Sequence, residues 1–390
     1  MTMTMTMIQQ AARPARPTRR RPPARPAAPR RGGAAMVLGP RPEILALAPV
    51  MRELGDLAGV VRVRRTDPAF LGDEGLAGPL AAVGAEAVSR SCRLAAAMDR
   101  LDQVFAADRP DVVVVRGATD TALAGALAAR SHGVPVVHVE AGLRSRDLGQ
   151  PEEHNRVLVD RAAEVLCAPT PVTVANLEAD GLGDRDIRLT GTTTVESVRH
   201  RLMPEAQRRA VVRKWGLEPD GYVLATLDRP ENTDDEALFA ITNQLSGVAE
   251  AGYPVVLAAH PRTRAAAIRA GVLASGMNVR VVNRLWHSEF LALARHCGLL
   301  VSDSGAVQEE ATVVKRPILV VRRSTERPEV LRDFGRLVGP GDDITAIALD
   351  WLADGERRAR LAELPSPFGD GRGGERIADA VRQVALAARG

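Results

Sequence analysis

Short runs of apolar residues alternate with helix-like patterns from residue 34 onward. In the first half the candidate strands are AAMVL (34–38), VRVRR (61–65), DVVVVRG (111–117), VPVVHVEAG (134–142), AEVLCAP (163–169) and DIRLTG (186–191). In the second half they are YVLATL (222–227), PVVLAAH (254–260), VRVVN (279–283), GLLVSD (298–303) and PILVVRR (317–323). Runs without polar positions suit parallel strands that are covered on both faces. The alternation predicts a doubly wound α/β architecture.

The repeated scheme predicts two Rossmann-like domains that face a central cleft. We expect an extension at 1–33, an N-terminal Rossmann-like domain at 34–198, a C-terminal nucleotide-binding Rossmann-like domain at 199–370 and a helix at 371–390 that packs back on the body. The extension is rich in Pro and Ala, contains eight arginines and lacks acids, so it is predicted to be disordered. An unstructured extension, or a start codon assigned too early, is favoured over a tether to nucleic acid or to a membrane surface.

Composition excludes several classes of function. The chain is 45% hydrophobic and 26% charged, as in soluble globular proteins, and no run approaches the roughly 18 apolar residues of a membrane span. The three cysteines are scattered and form no CxxC, which argues against a disulfide framework or a zinc site and favours the cytoplasm. The net charge of +4 resides in the extension, so the rest of the chain is acidic and gives no reason to expect nucleic acid as a partner.

The segment LLVSDSGAVQEEATVV (299–314) predicts a phosphate site. A buried strand ends at Ser304 and Gly305, where a helix begins with free N–H groups and a partial positive charge. Glu310 lies about one and a half turns into that helix, within reach of ribose hydroxyls. The alternative is that Ser304 is an ordinary helix N-cap.

The segment HVEAGLRSRDLGQPEEHNR (138–156) carries several charges after a strand. Glu140 ends the apolar run, where a solvated charge is unexpected. Glu140 and Glu152 are separated by a loop, and such carboxylates can act as an acid/base pair when their surroundings separate their pKa values. Surface ion pairing is the more common role of such a run. Earlier in the chain, Arg41 follows a strand and a Gly-Pro turn, which places a guanidinium where an anion would lie.

Together these segments resemble the non-hydrolysing UDP-N-acetylglucosamine 2-epimerases, which have the two-domain GT-B architecture. The resemblance covers nearly the whole chain after residue 36. Its most specific runs are HVEAGLRS (138–145) and SDSGAVQEE (302–310) together with TERPE (325–329). The other matching runs are GPRPE, PDVVVVRG, PEEHNR, LTGTTTVES and HPRT.

The resemblance implies a homodimer that converts UDP-GlcNAc to UDP-ManNAc without a metal or a nicotinamide cofactor. In that reaction a base removes the C2 proton and UDP leaves C1, and UDP adds back after protonation on the other face. The resemblance gives roles to residues of this chain: Arg41 contacts phosphate, Glu140 and Glu152 are catalytic carboxylates, and Arg156 binds substrate. Ser304 and Gly305 form the diphosphate loop, Glu310 binds ribose, Phe290 lies beside the uracil and His260 is a binding-loop histidine.

Three departures from the family pattern fall in one predicted cleft. Ala46 replaces a lysine, Ala118 replaces a catalytic aspartate and Asp228 replaces a histidine. Together they argue for altered chemistry, because losing a positioned acid or base costs about 10²–10⁴-fold in rate. Asp120 and Arg116 are the residues with which the chain would compensate for Ala118.

The loop TLDRPEN (226–232) keeps Arg229 but places Asp228 at a catalytic position beside the expected phosphates. A carboxylate about 4 Å from a phosphate oxygen repels it by ~4 kcal/mol at an effective dielectric constant of about 20. We therefore expect Asp228 to be neutral, turned toward Arg229 or Arg116, or next to a less charged part of the ligand. The family's Thr-Gly-Gln-His motif is absent from VRVRRTDPAFLGD (61–73), which predicts no activation by a second substrate molecule.

Three functions remain compatible with the sequence. The first is a UDP-sugar 2-epimerase that uses Glu140 and Glu152. The second is elimination alone, hydrolysis or transfer on a related NDP-sugar or nucleoside. The third is a nucleotide-sugar-binding protein without catalysis.

Overall fold

Two fully parallel sheets form the framework of the chain and confirm the predicted doubly wound α/β fold. The computed structural model describes residues 33–39, 41–62, 80–82, 89–283, 285–339 and 341–390; at 41, 42, 62 and 80–82 it describes the backbone only. Apart from residue 33, the predicted extension lies outside these residues. So does most of the segment 61–73 in which the Thr-Gly-Gln-His motif is missing.

The first sheet has seven strands in the order β3-β2-β1-β4-β5-β6-β7. Its strands are β1 (Ala34–Leu38), β2 (Ala58–Arg62), β3 (Leu80–Ala82), β4 (Val112–Arg116), β5 (Val136–Val139), β6 (Val165–Ala168) and β7 (Asp186–Leu189). β1 and β4 are buried at every position because helices cover both faces of the sheet.

The second sheet has six strands in the order β10-β9-β8-β11-β12-β13. Its strands are β8 (Val223–Thr226), β9 (Val255–Ala259), β10 (Val279–Asn283), β11 (Leu299–Ser302), β12 (Ile318–Val321) and β13 (Gly335–Val338). In each sheet the winding direction reverses once, between β1 and β4 and between β8 and β11. Ligands of open α/β sheets bind at the carboxyl ends of the strands beside such a reversal.

Helices connect the strands. They are α1 (Arg41–Leu54), α2 (Arg90–Ala107), α3 (Asp120–Ser131), α4 (Pro151–Ala162), α5 (Pro171–Ala179), α6 (Thr194–Arg201), α7 (Glu205–Lys214), α8 (Asp235–Glu250), α9 (Pro261–Arg269), α10 (His287–His296), α11 (Gly305–Val314), α12 (Val330–Asp333), α13 (Ile344–Ala353), α14 (Gly355–Glu363) and α15 (Gly373–Ala387). Among the described residues, no helix combines the length and the apolar character that a membrane crossing requires.

Each sheet carries an apolar core on both of its faces. The last helix, α15, returns to the first half, where Ile377 and Val381 join a core with Met36 and Ile44. The predicted division between residues 198 and 199 falls inside α6 (Thr194–Arg201) and stays a prediction.

Two strands of the sheets were not predicted from the sequence. β3 has three residues and β13 reads GRLV, so neither carries an apolar run long enough to indicate a strand. β2 begins at Ala58, three residues before the predicted VRVRR, because the preceding AGV already pairs with β1.

Candidate active site between the two sheets

Side chains from both halves meet where the carboxyl edges of the sheets face each other. Arg327 of the second half brings its Nη2 to 3.7 Å from Oε2 of Glu140 in the first half. Thr192 donates its hydroxyl to Glu309 at 2.8 Å. These contacts place the loops after β5, β7 and β12 and the helix α11 around one site.

Glu140 is the buried carboxylate at the end of β5, as the sequence predicts. Its φ of +65° is rare for a residue with a side chain and costs of order 1–3 kcal/mol, which surrounding contacts must offset. Arg116 supplies such a contact, because it donates to Oε1 from Nε at 2.9 Å and from Nη2 at 2.5 Å. The other oxygen faces Arg327 across the cleft. The catalytic role of Glu140 stays a prediction.

A buried network behind β5 supports this conformation. His138 places Nδ1 at 2.6 Å from Asp160 and Nε2 at 3.0 Å from the carbonyl oxygen of Gly117. Arg144 lies 2.7 Å from the other oxygen of Asp160. Burial alone would raise the pKa of Asp160, but His138 and Arg144 lower it below its ordinary value. The network joins the strand ends that carry Arg116 and Glu140.

The two adjacent glutamates of α4 have different environments. Glu152, the predicted catalytic residue, is exposed, and its charge acts on Arg90. Glu153 is buried and accepts hydrogen bonds from the backbone N–H groups of Ser145 at 3.0 Å and Arg146 at 2.9 Å. Burial would raise the pKa of Glu153, but these hydrogen bonds lower it. Glu153 therefore fixes the loop that precedes α4.

Arg156 lies in the site, as predicted, and connects the two halves. It donates to Glu153 at 2.5 Å and lies 3.7 Å from Oε1 of Glu326 in the second half. Its guanidinium is buried between two carboxylates, so any anionic ligand would compete with them for it.

The predicted diphosphate loop has the geometry of an open anion site. Ser304 is the residue before α11, but its side chain makes no capping hydrogen bond, which does not support the reading of Ser304 as an ordinary N-cap. The first N–H groups of the helix are therefore not capped by that hydroxyl. A Cβ at Gly305 would lie 2.4 Å from Nη1 of Arg327 and 2.7 Å from Glu326, so a side chain here would displace both.

Arginines from the run after β12 surround this loop. Arg327 donates to Glu309 at 2.6 Å and to Glu326 at 2.5 Å. Arg322 lies 2.7 Å from Glu326, while its Nε and Nη1 are buried without a hydrogen-bond partner. Burial would raise the pKa of Glu326, but the charges of Arg327 and Arg322 hold it well below its usual range. The unpaired donors of Arg322 suit an anion.

The predicted nucleoside side of the site lies between α10 and α11. Glu310 is buried and lies 2.8 Å from Nε2 of His287. Phe290, on α10, packs in the apolar core of the second half. Trp286, directly before α10, is 65% exposed. Glu310 and Phe290 therefore occupy neighbouring helices, and their ligand roles stay predictions.

The loop after β8 is anchored by a buried aspartate that the sequence analysis did not single out. Asp303 accepts hydrogen bonds from the N–H groups of Asp228 at 3.0 Å and Arg229 at 2.9 Å, and from Nδ2 of Asn232 at 3.0 Å. Burial raises the pKa of Asp303, although these donors oppose the rise. Arg229 also donates from Nε to the carbonyl oxygen of Asp303 at 3.2 Å.

The prediction that Asp228 turns toward Arg229 or Arg116 was wrong. Its carboxylate pairs with Arg262 at 2.9 Å rather than with Arg229 or Arg116. Both of those arginines are held elsewhere, Arg229 by Asp303 and Arg116 by Glu140. His260, the residue before α9, lies 3.6 Å from the same carboxylate. Asp228 and His260 thus share the rim of the site with a neutralising guanidinium.

The three departures from the family pattern have distinct surroundings. Ala46 and Ala118 are both buried. Asp120, one expected replacement for the lost aspartate, instead accepts from Arg90 at 2.9 Å and from Asn155 at 3.1 Å. Because both contacts draw it toward α2 and α4, Asp120 does not stand in for a carboxylate at position 118.

The structure describes one predicted site residue, Arg41, only in part. The backbone of Arg41 begins α1, but its side chain lies outside what the structure describes.

Among the described residues, no group of three or more His, Cys, Asp or Glu side chains has a metal-binding arrangement. The predicted absence of a metal stays a prediction.

Asp303, Arg322 and Arg327 lie in the runs SDSGAVQEE, PILVVRR and TERPE but were not predicted as site residues. Asp303 and Arg322 each follow directly on a four-residue apolar strand. A charged residue at the end of an apolar strand was the signal that identified Glu140 as a candidate site residue. The same rule, applied to every strand, would have identified both residues.

The two parallel sheets face each other, and the N-terminus of α11, which has no side-chain cap, lies beside Arg327 and opposite the buried Glu140. These features define a class of two-domain enzymes that act on anionic, nucleotide-type ligands. The sequence pattern of the UDP-N-acetylglucosamine 2-epimerase family matches residues 77–382. The chain belongs to this family.

Individual relatives agree with this membership. A UDP-N-acetylglucosamine 2-epimerase of Methanocaldococcus jannaschii is 32% identical over 361 residues, which cover 88% of this chain and 96% of the relative. A UDP-2,3-diacetamido-2,3-dideoxy-D-glucuronate 2-epimerase of Pseudomonas aeruginosa is 37% identical over 233 residues, 59% of this chain and 64% of the relative. The crystal structure of the M. jannaschii UDP-GlcNAc 2-epimerase with UDP-GlcNAc and UDP has a TM-score of 0.79 and 30% identity, covering 90% of this chain and 99% of that chain.

Proposed function

We propose that this chain is a UDP-sugar 2-epimerase that interconverts UDP-GlcNAc and UDP-ManNAc by elimination and readdition of UDP. The observation that carries the proposal is the buried carboxylate of Glu140, held by Arg116 at 2.9 Å and facing Arg327 and the uncapped start of α11 across the cleft. A family relative that was crystallised with UDP-GlcNAc and UDP supports the choice of ligand.

In the first half of the reaction, Glu140 accepts the proton from C2 of the sugar. The C2–H electron pair becomes the C1=C2 π bond, and the C1–O bond breaks with its electrons leaving on the diphosphate of UDP. Arg116 holds one oxygen of Glu140, so the other oxygen is the one that accepts the proton. A positioned base of this kind contributes about 10²–10⁴-fold to the rate.

The departing diphosphate needs positive charge at the second sheet. The N-terminus of α11 supplies N–H groups, and Arg322 supplies two buried donors without partners. We expect Glu310 to accept hydrogen bonds from ribose hydroxyls and to exchange its 2.8 Å contact with His287 for them. In this arrangement UDP stays bound while the sugar turns its other face to the acid.

In the second half, a proton adds to C2 on the opposite face and the diphosphate oxygen re-forms its bond to C1. Glu152 is the carboxylate that the resemblance assigns to proton transfer beside Glu140. It is exposed in this structure and its charge acts on Arg90, so Glu152 does not supply this proton unless the loop before α4 moves.

A second candidate is elimination or hydrolysis without readdition. It is favoured by one observation: Ala118 removes a carboxylate at the end of β4, and Asp120 is engaged by Arg90. Without an acid for the second face, the glycal and UDP would leave separately. A third candidate, binding without turnover, predicts no turnover of any NDP-sugar and nucleotide binding that Glu140→Gln leaves unaffected.

Chromatography of the products separates these candidates. Incubation with UDP-GlcNAc is expected to give its C2 epimer, UDP-ManNAc, with little free UDP. Accumulation of UDP with a glycal or a free sugar would support the second candidate instead. Glu140→Gln serves as the inactive control, and we expect it to keep UDP affinity because Glu140 contacts the sugar rather than the nucleotide.

Assembly and location are part of the same proposal. We expect a homodimer, as the resemblance implies, and a cytoplasmic location, which the scattered cysteines favour. Sedimentation at several protein concentrations checks the first expectation, and cell fractionation checks the second. A monomer at all concentrations would refute the dimer without affecting the proposed chemistry.

A further inference from the structure

The end of β4 lacks the carboxylate that the family pattern places there, and its neighbours are occupied. Ala118 is 9% exposed. Asp120 is held by Arg90 and Asn155. Glu140 is the proposed base. Glu152 is exposed, so in the conformation described here an acid for the opposite face of the sugar has to come from another element.

Glu43, in the first turn of α1, is a carboxyl with an uncommitted oxygen next to this strand end. It is 3% exposed, and Oε2 accepts a hydrogen bond from the backbone N–H of Gly39 at 2.7 Å. Its other oxygen, Oε1, is buried and has no hydrogen-bond partner. A Cβ at Gly39 would lie 2.8 Å from Oε2 and 2.8 Å from Oγ1 of Thr121, so the turn after β1 closes directly over the carboxyl.

Thr119 is the residue after Ala118 at the end of β4, and its side chain acts on this carboxyl. It is half-buried and accepts a hydrogen bond from the N–H of Ala122 at 3.1 Å as the N-cap of α3. Because that bond uses a lone pair of Oγ1, the hydroxyl proton remains available to another acceptor. The side chain is close enough to Glu43 to lower the pKa of that carboxyl.

We propose that Glu43 holds the second proton of the reaction and delivers it to the sugar through the hydroxyl of Thr119, in place of the carboxylate missing at position 118. This inference rests on the proposed epimerase function. In the step, Thr119 gives its hydroxyl proton to C2 and takes the proton of Glu43. The C1=C2 electrons form the new C2–H bond, and a lone pair of the diphosphate oxygen forms the bond to C1.

The electrostatics around Glu43 suit this role. Burial raises its pKa to about 7, against the opposing effects of Thr119, the Gly39 N–H and Arg116, while Glu140 adds to the rise. The charged groups that act on it are thus Arg116 at the end of β4 and Glu140 after β5. A proton donor works best when its pKa lies near the operating pH.

Glu43→Gln is the direct test, because the amide oxygen can still accept from Gly39 but carries no transferable proton. We expect epimerisation to fall about 10²-fold, UDP affinity to stay unchanged, and the loss of activity on the alkaline side of neutrality to disappear from the pH profile of kcat. Thr119→Val is expected to lower kcat similarly, whereas Thr119→Ser, which keeps the hydroxyl, is expected to restore it. Glu196→Gln is the matched control, because burial also raises the pKa of Glu196 to about 7. Glu196 lies on α6 outside the cleft, where its carboxylate accepts a hydrogen bond from the N–H of Gly374 at the start of α15.

The double variant Glu43→Gln/Ala118→Asp separates a proton-transfer role from a structural one. It returns a carboxylate to the family position, and we expect it to regain most of the lost rate. Failure of this rescue, or an unchanged rate and pH profile in Glu43→Gln, would overturn the role of Glu43. A wild-type protein that turns over no UDP-sugar would instead overturn the proposed function itself.

Discussion

Gly305→Ala tests whether the anion loop requires a residue without a side chain. The added Cβ would lie 2.4 Å from Nη1 of Arg327 and 2.7 Å from Oε1 of Glu326. Arg327 also donates from Nε to Glu309 at 2.6 Å. Its guanidinium therefore cannot move away from position 305 and keep all of its present hydrogen bonds.

The clash and the helix propensity of alanine change the free energy of unfolding of Gly305→Ala in opposite directions. Alanine in a helix is favoured over glycine by roughly 0.5–1 kcal/mol. Losing one hydrogen bond to a charged group costs about 1.5–3 kcal/mol. The free energy of unfolding is therefore expected to fall by about 1–2 kcal/mol. Displacement of Arg327 from the loop is expected to weaken UDP binding by about tenfold, which corresponds to ~1.4 kcal/mol.

Chemical denaturation measures the stability, and calorimetric titration with UDP measures the affinity. Gly183→Ala is the matched control, because the nearest atom to its added Cβ, Cγ of Glu178, lies 3.8 Å away. We expect this control to behave as the wild type in UDP binding. A Gly305→Ala protein that is more stable than the wild type and binds UDP equally well would refute the packing argument.

Three further substitutions test other parts of the structure. Burial raises the pKa of Glu196 from 4.5 to about 7, so the contribution of Glu196 to the free energy of unfolding is highest below pH 4.5 and falls as the pH rises to about 7. In Glu196→Gln, denaturation across that window should show a fall smaller by about 1–2 kcal/mol after allowance for solvent screening, and an identical fall would contradict this. Asp160→Asn removes the anion that lies 2.7 Å from Nη2 of the buried Arg144, so thermal and chemical denaturation should show a loss of about 3–5 kcal/mol in the free energy of unfolding; a stability within error of wild type would oppose it. Arg262→Gln removes the cation that pairs with Asp228, and we expect KM for the UDP-sugar to rise about 2–5-fold, the size of an exposed ion pair, with kcat unchanged; an unaltered KM would count against a role for this pair.

Local signals in the sequence were sufficient for the framework of the site. Runs such as VVVV in β4 and ILVV in β12 have no polar position, so they indicate strands buried on both faces. A charge directly after such a run, as at Glu140, has to lie at the strand end and therefore at the cleft. Ser304 and Gly305 were located in the same way, from a strand that passes directly into a helix.

Details that depend on contacts between distant segments could not be read from the sequence. Whether Glu152 or Glu153 is buried depends on how α4 is rotated against the preceding loop, and both have the same side chain. The partner of Asp228 is Arg262, which returns to it 34 residues later after another strand has been added to the sheet. Local spacing favoured Arg229 for that contact, but the buried Asp303 binds the backbone N–H of Arg229 and draws its side chain aside.

The exchange of hydrogen for deuterium at C2 of the sugar tests the central claim most directly. Proton NMR in deuterated water would follow UDP-GlcNAc with the wild type and with Glu140→Gln. The account predicts that the wild type incorporates deuterium at C2 as UDP-ManNAc appears, and that Glu140→Gln slows both by about 10²–10⁴-fold. Formation of UDP-ManNAc without deuterium at C2, or equal exchange in the Glu140→Gln protein, would contradict it.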